Sequence, residues 1–356
     1  MKYVLITGSC GLIGSQAVDF FHNLGYYIIG IDNNMRKYFF GDSASTNTTK
    51  KLLIKKYKHY KHYNTDIRNY SQLKKIFEQY KDSIELIIHT AAQPSHDWAA
   101  KEPLTDFSIN ANGTINLLEL TRLYCQEATF IFTSTNKVYG DRPNYLNIKE
   151  ESTRYECYDE NNNLYLINEE MSIDKTKHSI FGASKVAADI MCQEYGKYFN
   201  LKTGIFRGGC LTGPNHAGTE LHGFLSYLVK CMIYNKPYTI FGYKGKQVRD
   251  NIHSYDLVNM FWHFHKNPKC GEIYNAGGGR QNSCSILEAI DIINKKINSD
   301  WKKYTISENN RIGDHIWYIS DLNKFKSHYP EWNITYSLDS TITDMINFEM
   351  KGKTLK

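Results

Sequence analysis

KYVLITGSCGLIG, residues 2–14, decides the fold. Residues 2–7 are a short apolar run with β-branched side chains, the composition of a buried strand. Glycines follow at positions 8, 11 and 14, and a helical apolar rhythm runs from Leu12 to Leu24. A second apolar run, Tyr26 to Ile31, ends on Asp32. Strand, turn, helix and strand within about 30 residues open a doubly wound parallel sheet.

The turn has the physics of a phosphate cradle. Gly8 and Gly11 let the backbone approach a pyrophosphate, and the helix opening at Leu12 and Ile13 offers unpaired N–H groups and the positive end of its dipole. Gly14 lets that helix pack closely on the sheet. Asp32 lies 18 residues after Gly14, followed by Asn33. A carboxylate there accepts hydrogen bonds from the adenosine ribose and repels a 2′-phosphate, which favours NAD over NADP. Arg36 weakens that preference slightly.

Further strand candidates are Leu86 to His89, Thr129 to Thr133, Thr203 to Arg207 and Ile273 to Ala276. Helical stretches lie near 70–81, 105–124, 179–199 and 219–234. The alternation argues an α/β protein. The expected architecture is a Rossmann-type doubly wound parallel sheet with a smaller C-terminal α/β substrate-binding domain. The cofactor domain is assigned 1–207 with a return segment at about 242–278, and the second domain 208–241 and 279–356. Asp66-Ile67 follow the third strand, where the Asp can reach an adenine amino group. Ala91-Ala92-Gln93 follow the fourth, and small residues there let the cofactor pass close to the backbone.

The chain has 356 residues, 41% of them hydrophobic and 14% aromatic, which excludes a disordered, collagen-like or coiled-coil protein. Its formal charge of +6 suits an anionic small molecule and does not by itself argue for nucleic acid. The basic, aromatic run at 50–62 (KKLLIKKYKHYKH) reads best as a solvated helix or loop between the second and third strands. None of the eight cysteines forms a C-x-x-C pair, so neither a zinc ribbon nor a redox pair is expected. No apolar stretch approaches the roughly 20 residues that span a bilayer. The beginning of the sequence lacks the apolar core of a signal peptide. A reduced, cytoplasmic protein without metal, membrane or nucleic-acid partner is expected.

At this point the chain resembles the extended short-chain dehydrogenase/reductase superfamily, the nucleotide-sugar epimerases and dehydratases. The marks are TGSCGLIG (7–14), HTAAQ (89–93), NANGTINLLE (110–119), TSTNKVYGD (133–141), FGASK (181–185) and QVRDNIH (247–253). More specific marks are TRY (153–155), HS-x-x-G-x-SK (178–185) and KP-x-T-I-x-G followed by GKQVRD (236–250). They are similar to the branch that acts on CDP-linked sugars at C2. The resemblance implies NAD-dependent epimerisation, with Asn110, Thr133 and Lys185 joining the cofactor-binding set. In such enzymes a Ser/Thr, a Tyr and a Lys four residues after it carry the chemistry. Thr135 and Lys185 match the outer two.

The Tyr position is Phe181, which has no ionisable oxygen. Three readings stand open: another group has taken over, the phenylalanine was introduced to trap a complex, or the protein binds without turnover. His96 and Asp97, just beyond the cofactor loop, are the first candidates for a replacement acid/base. Cys210 in RGGCLTG is another, or else a small buried thiol. A dehydratase would need an acid/base pair beside Thr135, and Thr135-Asn136-Lys137 supplies no carboxylate.

For the substrate, Arg249 matches the family position that pairs with the diphosphate, a role suited to a guanidinium fork. A salt bridge to Asp250 is the plainer alternative. Asn136, Lys137 and Arg154 are further sugar or phosphate candidates. The start of a helix at 215–220 is expected to close over the nucleotide base. The family also implies a homodimer through helices 105–124 and 179–199, with Leu117, Leu118, Leu120, Ile190 and Met191 as the apolar positions.

Overall fold

The computed structural model describes residues 1–215, 218, 223–310 and 313–354. The chain forms two compact units, residues 1–138 with 180–207 and 257–274, and residues 139–179 with 208–256 and 275–354. This differs from the expected division, because 139–179 and about half of the return segment 242–278 group with the second unit. The reason is topological: only the helix and strand of the return segment re-enter the first sheet.

That sheet has seven strands: β1 (Tyr3–Thr7), β2 (Tyr27–Ile31), β3 (Tyr60–Tyr63), β4 (Ile84–His89), β5 (Thr129–Thr135), β6 (Lys202–Gly208) and β7 (Glu272–Ala276). Their order is β7-β6-β5-β4-β1-β2-β3, so the winding reverses between β1 and β4. The parallel register pairs Thr7 with Ile31 and with His89, and His89 with Phe132. The turn after β1, Asp32 after β2, the loop after β4 and the end of β5 therefore emerge along one edge. That edge, at the reversal, is where such sheets bind ligands.

Five helices matter here: α1 (Leu12–Asn23), α2 (Tyr70–Tyr80), α3 (Gly113–Tyr124), α4 (Ser179–Phe199) and α5 (Ser254–Lys266). Alternation along the strands gives the sheet two apolar faces. Leu5, Ile87, Phe130 and Ile205 pack with Leu73 and Phe77 of α2, Leu117 of α3 and Ala188 of α4. On the strand residues of opposite parity, Phe206 meets Phe261 and Phe264 of α5 at ring-centroid distances of 4.9 and 5.7 Å. The expected helix at 105–124 is interrupted. A helix at Pro103–Phe107 runs through one wide π turn at Ser108–Asn112 into α3. Such turns occur at functional sites.

The basic run at 50–62 becomes a helix, Asn47–Lys56, and then β3. Tyr60 is buried and its hydroxyl meets Ser9 Oγ at 3.0 Å. One aromatic of the run is thus core rather than a stacking platform.

In the second unit, Val248–His253 pairs with Ser283–Ser285, Trp317–Tyr318 and Cys210–Thr212. A capping box between Ser285 and Glu288 starts the helix Ile286–Ile297, which packs into a core with Phe224–Ile233 and the last helix, from Leu338. The expected helix at 219–234 is described from Phe224, and residues 216, 217, 219 and 220 of the expected base-covering segment lie outside the described residues. Among the described residues no helix is long and apolar enough to cross a membrane, and no cluster of His, Cys, Asp and Glu could hold a metal.

Candidate active site

The glycine turn is a tight cradle. Gly8 has φ +66°, a conformation that L side chains rarely adopt, and a Cβ there would stand 2.9 Å from the Ala91 nitrogen. A Cβ on Gly14 would stand 2.1 Å from the Gly8 carbonyl oxygen. Gly11 caps α1 without a side-chain hydrogen bond to the first turn. Leu12 and Ile13 follow as the first helical residues, so their N–H groups belong to the end with no intrahelical acceptors. A bare helix start preceded by Gly11, with the Ser9 and Cys10 side chains buried, fits a dinucleotide pyrophosphate.

Asp32 is fixed beside this turn. Its Oδ2 accepts the Cys10 N–H at 3.1 Å, and its Oδ1 accepts the Asn34 N–H at 2.8 Å and the Thr46 hydroxyl at 3.2 Å. Burial pushes the Cys10 thiol up to about 11, so it stays neutral. Asn33 donates to Asp66 Oδ2 at 3.0 Å, and Arg68 grips Asp66 through Nε and Nη2 at 3.0 and 2.7 Å. Burial pushes the Asp66 carboxyl up, but the Arg68 and Asn33 bonds outweigh it and hold it below its usual range. Ile67 is buried, with its side chain against Gly113. Arg36 lies over the Phe40 ring at 5.0 Å.

The loop after β4 feeds a buried amide network that the sequence reading did not identify. The Gln93 N–H donates to Asn110 Oδ1 at 3.0 Å, and Gln93 Nε2 donates to Asp106 Oδ1 at 2.6 Å. Asn110 Nδ2 donates to the Gln93 carbonyl, Asp106 Oδ1 and Ser184 Oγ at 3.0 to 3.1 Å. Ala91 and Ala92 line the loop before it, with the Ala91 N–H on Thr7 Oγ1 at 3.2 Å. Asp106 precedes Asn110 by four residues, a helical spacing, and that was the available signal.

Lys185 is buried on α4 and donates to the Thr133 carbonyl at 2.9 Å, with its ammonium 4.1 Å from the centre of the Phe132 ring. Burial pulls that ammonium down to about 8, against the raising influence of Cys192, Asp189 and Asp106. Thr135 ends β5 two residues beyond Thr133. Its hydroxyl accepts the Lys137 N–H at 3.2 Å and reaches Asn136 Oδ1 at 3.4 Å. The neighbouring Ser134 points the other way, to Asp189, which Arg207 grips through Nε and Nη2 at 3.1 and 2.9 Å. This buried pair ties α4 to the ends of β5 and β6.

Phe181 is 7% exposed. His96, the first residue of a short helix capped by Ser95, meets it edge to face, ring centroids 5.0 Å apart at 73°. The imidazole thus stands against the ring that occupies the tyrosine position. Asp97 is on the exposed side of the same turn.

The second unit carries the remaining candidates. Arg249 is part-buried and donates to its own strand at the Val248 carbonyl, 2.8 Å away. Asp250 does not pair with it. Successive strand residues face opposite ways, and Asp250 is fully buried, accepting the Ser320 and Gly279 N–H groups at 3.0 and 3.3 Å. Burial pushes its carboxyl up to about 6. Arg154 is engaged by Glu288 at 3.3 Å, Glu156 at 3.4 Å and Ser283 at 2.7 Å. Cys210 is part-exposed and pairs in register with Asn251.

The chain matches the model of the NAD dependent epimerase/dehydratase family over residues 4–277. CDP-paratose 2-epimerase of Salmonella typhi is 31% identical over 352 residues, covering 97% of this chain and 98% of that protein. UDP-glucuronate 4-epimerase of Thermodesulfobacterium geofontis is 28% identical over 344 residues, covering 96% and 95%. Among solved structures, a mutant UDP-glucuronic acid 4-epimerase from Bacillus cereus, in complex with NAD and a fluorinated analogue of its sugar nucleotide, aligns with a TM-score of 0.78 at 23% identity over 98% of this chain and 99% of that one. The family match runs from the first strand through the glycine cradle, Thr135 and Lys185 to the last strand of the seven-stranded sheet, and the chain belongs to the NAD dependent epimerase/dehydratase family.

Proposed function

We propose that the protein is an NAD-dependent nucleotide-sugar epimerase that interconverts the C2 epimers of a CDP-linked sugar, with His96 as the acid/base in place of tyrosine. When bound, NAD supplies reversible two-electron oxidation at one sugar carbon. Gly8, Gly11 and the start of α1 hold its pyrophosphate, Asp32 its adenosine ribose and Lys185 its nicotinamide ribose. The Thr135 hydroxyl holds the reacting sugar oxygen. His96 removes the proton of that hydroxyl and later returns it, while Phe181 supplies the apolar wall. Arg249 pairs with the diphosphate, and Asn136, Lys137, Arg154 and Cys210 border the sugar.

The observation that carries the acid/base assignment is the edge contact between His96 and Phe181. The CDP and C2 assignments are supported by the 31% identical Salmonella relative and by the GKQVRD stretch. A second reading, a protein that binds NAD and a nucleotide sugar without turnover, is favoured by Phe181 alone.

The test incubates NAD-loaded protein with CDP-, UDP- and dTDP-linked sugars and follows epimer formation by NMR. His96→Ala is expected to reduce turnover by about 10²–10⁴-fold, the usual worth of acid/base help. Undiminished turnover in both His96→Ala and Asp97→Ala would remove both bases from consideration. No turnover with any sugar, restored by Phe181→Tyr, would favour the silent binder.

The same reading includes a cytoplasmic homodimer. Its surface differs from the expected one, because Leu117, Leu118 and Leu120 are fully buried in their own unit. On the helices concerned, the exposed apolar residues include Leu104, Phe107 and Leu123, and Ile180, Ile190, Tyr198 and Phe199 along α4. Light scattering is expected to give a dimer mass, reduced to a monomer by Ile190→Glu.

A further inference from the structure

The helix that carries His96 needs support from outside itself. It runs for 6 residues, His96–Lys101, on the loop after β4, and so short a helix is marginal alone. Its first support is the Ser95 cap, whose Oγ accepts the Trp98 N–H at 3.3 Å. Ser95 is in turn clamped through both of its backbone groups by one side chain. The Ser95 N–H donates to Gln93 Oε1 at 2.6 Å, and Gln93 Nε2 donates to the Ser95 carbonyl at 2.9 Å and to Asp106 Oδ1 at 2.6 Å. A primary amide has two protons, and both are spent here.

The clamp continues to the opposite ring. Asn110 holds the Gln93 backbone from both directions, accepting its N–H at 3.0 Å and donating to its carbonyl at 3.1 Å, and it also donates to Ser184 Oγ at 3.1 Å. Ser184 Oγ then donates to the Phe181 carbonyl at 3.0 Å. Gln93, Ser95, Asp106, Asn110 and Ser184 are each at most 2% exposed. One dry, continuous set of hydrogen bonds therefore starts at the cap of the His96 helix and ends on the backbone of Phe181, whose ring meets the imidazole. In a dry interior such bonds are stronger than in water.

We propose that Gln93 is a positioning residue for the acid/base: it clamps Ser95, is linked through Asn110 and Ser184 to the Phe181 carbonyl, and so holds the His96 ring in its place against the Phe181 ring. This rests on the acid/base role of His96 in the reading above, and its first test needs no sugar and no turnover.

Gln93→Met keeps the length of the side chain and removes the clamp. Ser184→Ala breaks the far end of the network and leaves Gln93 and Ser95 in place. The ring pair is read by NMR in protein protonated only at the His and Phe rings. With centroids 5.0 Å apart, His96 and Phe181 give a nuclear Overhauser contact. His89 and Phe132, 5.5 Å apart on neighbouring strands, give a second contact that reports an intact sheet. Both variants are expected to lose the first contact and keep the second. A His96–Phe181 contact retained in either variant would overturn the proposal; Trp98, packed on Phe39 at 4.6 Å, would then be the anchor of the helix. If Gln93→Met loses both contacts, Ser184→Ala decides, and loss of both there as well would make the network a support of the whole sheet and overturn the proposal equally. In the epimerisation assay Gln93→Met is expected to lower kcat about 10²-fold, the worth of a displacement of about 1 Å. Added to His96→Ala it is expected to cost nothing further, because no base remains to be positioned. A merely structural role would cost both backgrounds alike, which would also overturn the proposal. A chain that gives the expected ring contacts and epimerises no sugar would leave the clamp standing and sink the functional reading alone.

Discussion

Gly14→Ala is the sharpest perturbation of the cofactor cradle. The added Cβ would lie 2.1 Å from the Gly8 carbonyl oxygen, 2.7 Å from its carbon and 2.8 Å from the Ser9 Cα. All three are backbone atoms, and ordinary contact begins near 3.4 Å. The turn or helix α1 must therefore retreat by about 1.3 Å. Gly8 has little room, since its own Cβ position is 2.9 Å from the Ala91 nitrogen and its carbonyl accepts the Gly11 N–H at 2.9 Å. Overpacking of this kind costs about 1–3 kcal/mol. Alanine recovers up to about 1 kcal/mol through helix propensity. The net effect on stability is a loss of about 0–3 kcal/mol. On the cofactor arrangement proposed above, binding suffers more, because the N–H groups at the start of α1 would move off the pyrophosphate. NAD affinity is expected to fall at least tenfold, or about 1.4 kcal/mol. Calorimetry with NAD measures this, and thermal melting of the cofactor-free protein measures the packing cost. The control is Gly11→Ala, whose Cβ would meet only the Gly8 oxygen, at 3.3 Å. It is expected to melt close to wild type. If Gly14→Ala binds NAD within twofold of wild type, the clash does not govern the cradle and the reasoning fails.

NAD is expected to bind far better than NADP, because Asp32, proposed above to take the adenosine ribose, is locked by Cys10, Asn34 and Thr46; equal affinities by calorimetry would contradict it. Acid is expected to weaken the first unit through His89, whose folded value of about 3 lies below its ordinary 6.5. The unfolded chain then binds the extra proton, so stability falls as pH drops from 6.5 toward 3, and His89→Gln should flatten that part of a urea-stability profile against pH. Arg207→Met leaves Asp189 buried without its cation and is expected to cost about 3–5 kcal/mol. Adding Asp189→Leu should return much of that, and a loss under about 1 kcal/mol in urea unfolding would show that Ser134 and Gln193, whose Nε2 donates to Asp189 Oδ1 at 2.8 Å, suffice.

The sequence by itself determined the sheet and its cofactor edge. The strand, the three glycines, Asp32 and Ala91-Ala92-Gln93 are local signals, because a turn's backbone requirements and a strand's apolar run act within a few residues. Thr135 and Lys185 came from the family resemblance alone, and the structure sets them at the end of β5 and on α4, with Lys185 donating to the Thr133 carbonyl. What only the tertiary structure decided are contacts between segments distant in the chain. His96 and Phe181 are 85 residues apart, and the edge contact that links them follows from where β4 and α4 lie in the sheet. Asp106 lies on a helix exposed at Leu104 and Phe107 yet is itself fully buried, just before the wide turn at Ser108–Asn112, which no period in the sequence announces. Leu117, Leu118 and Leu120 suggested an interface by composition, but burial against the sheet is a property of the packed unit. Arg249 and Asp250 are neighbours in the sequence and partners in neither geometry nor charge, because a strand turns successive side chains to opposite faces.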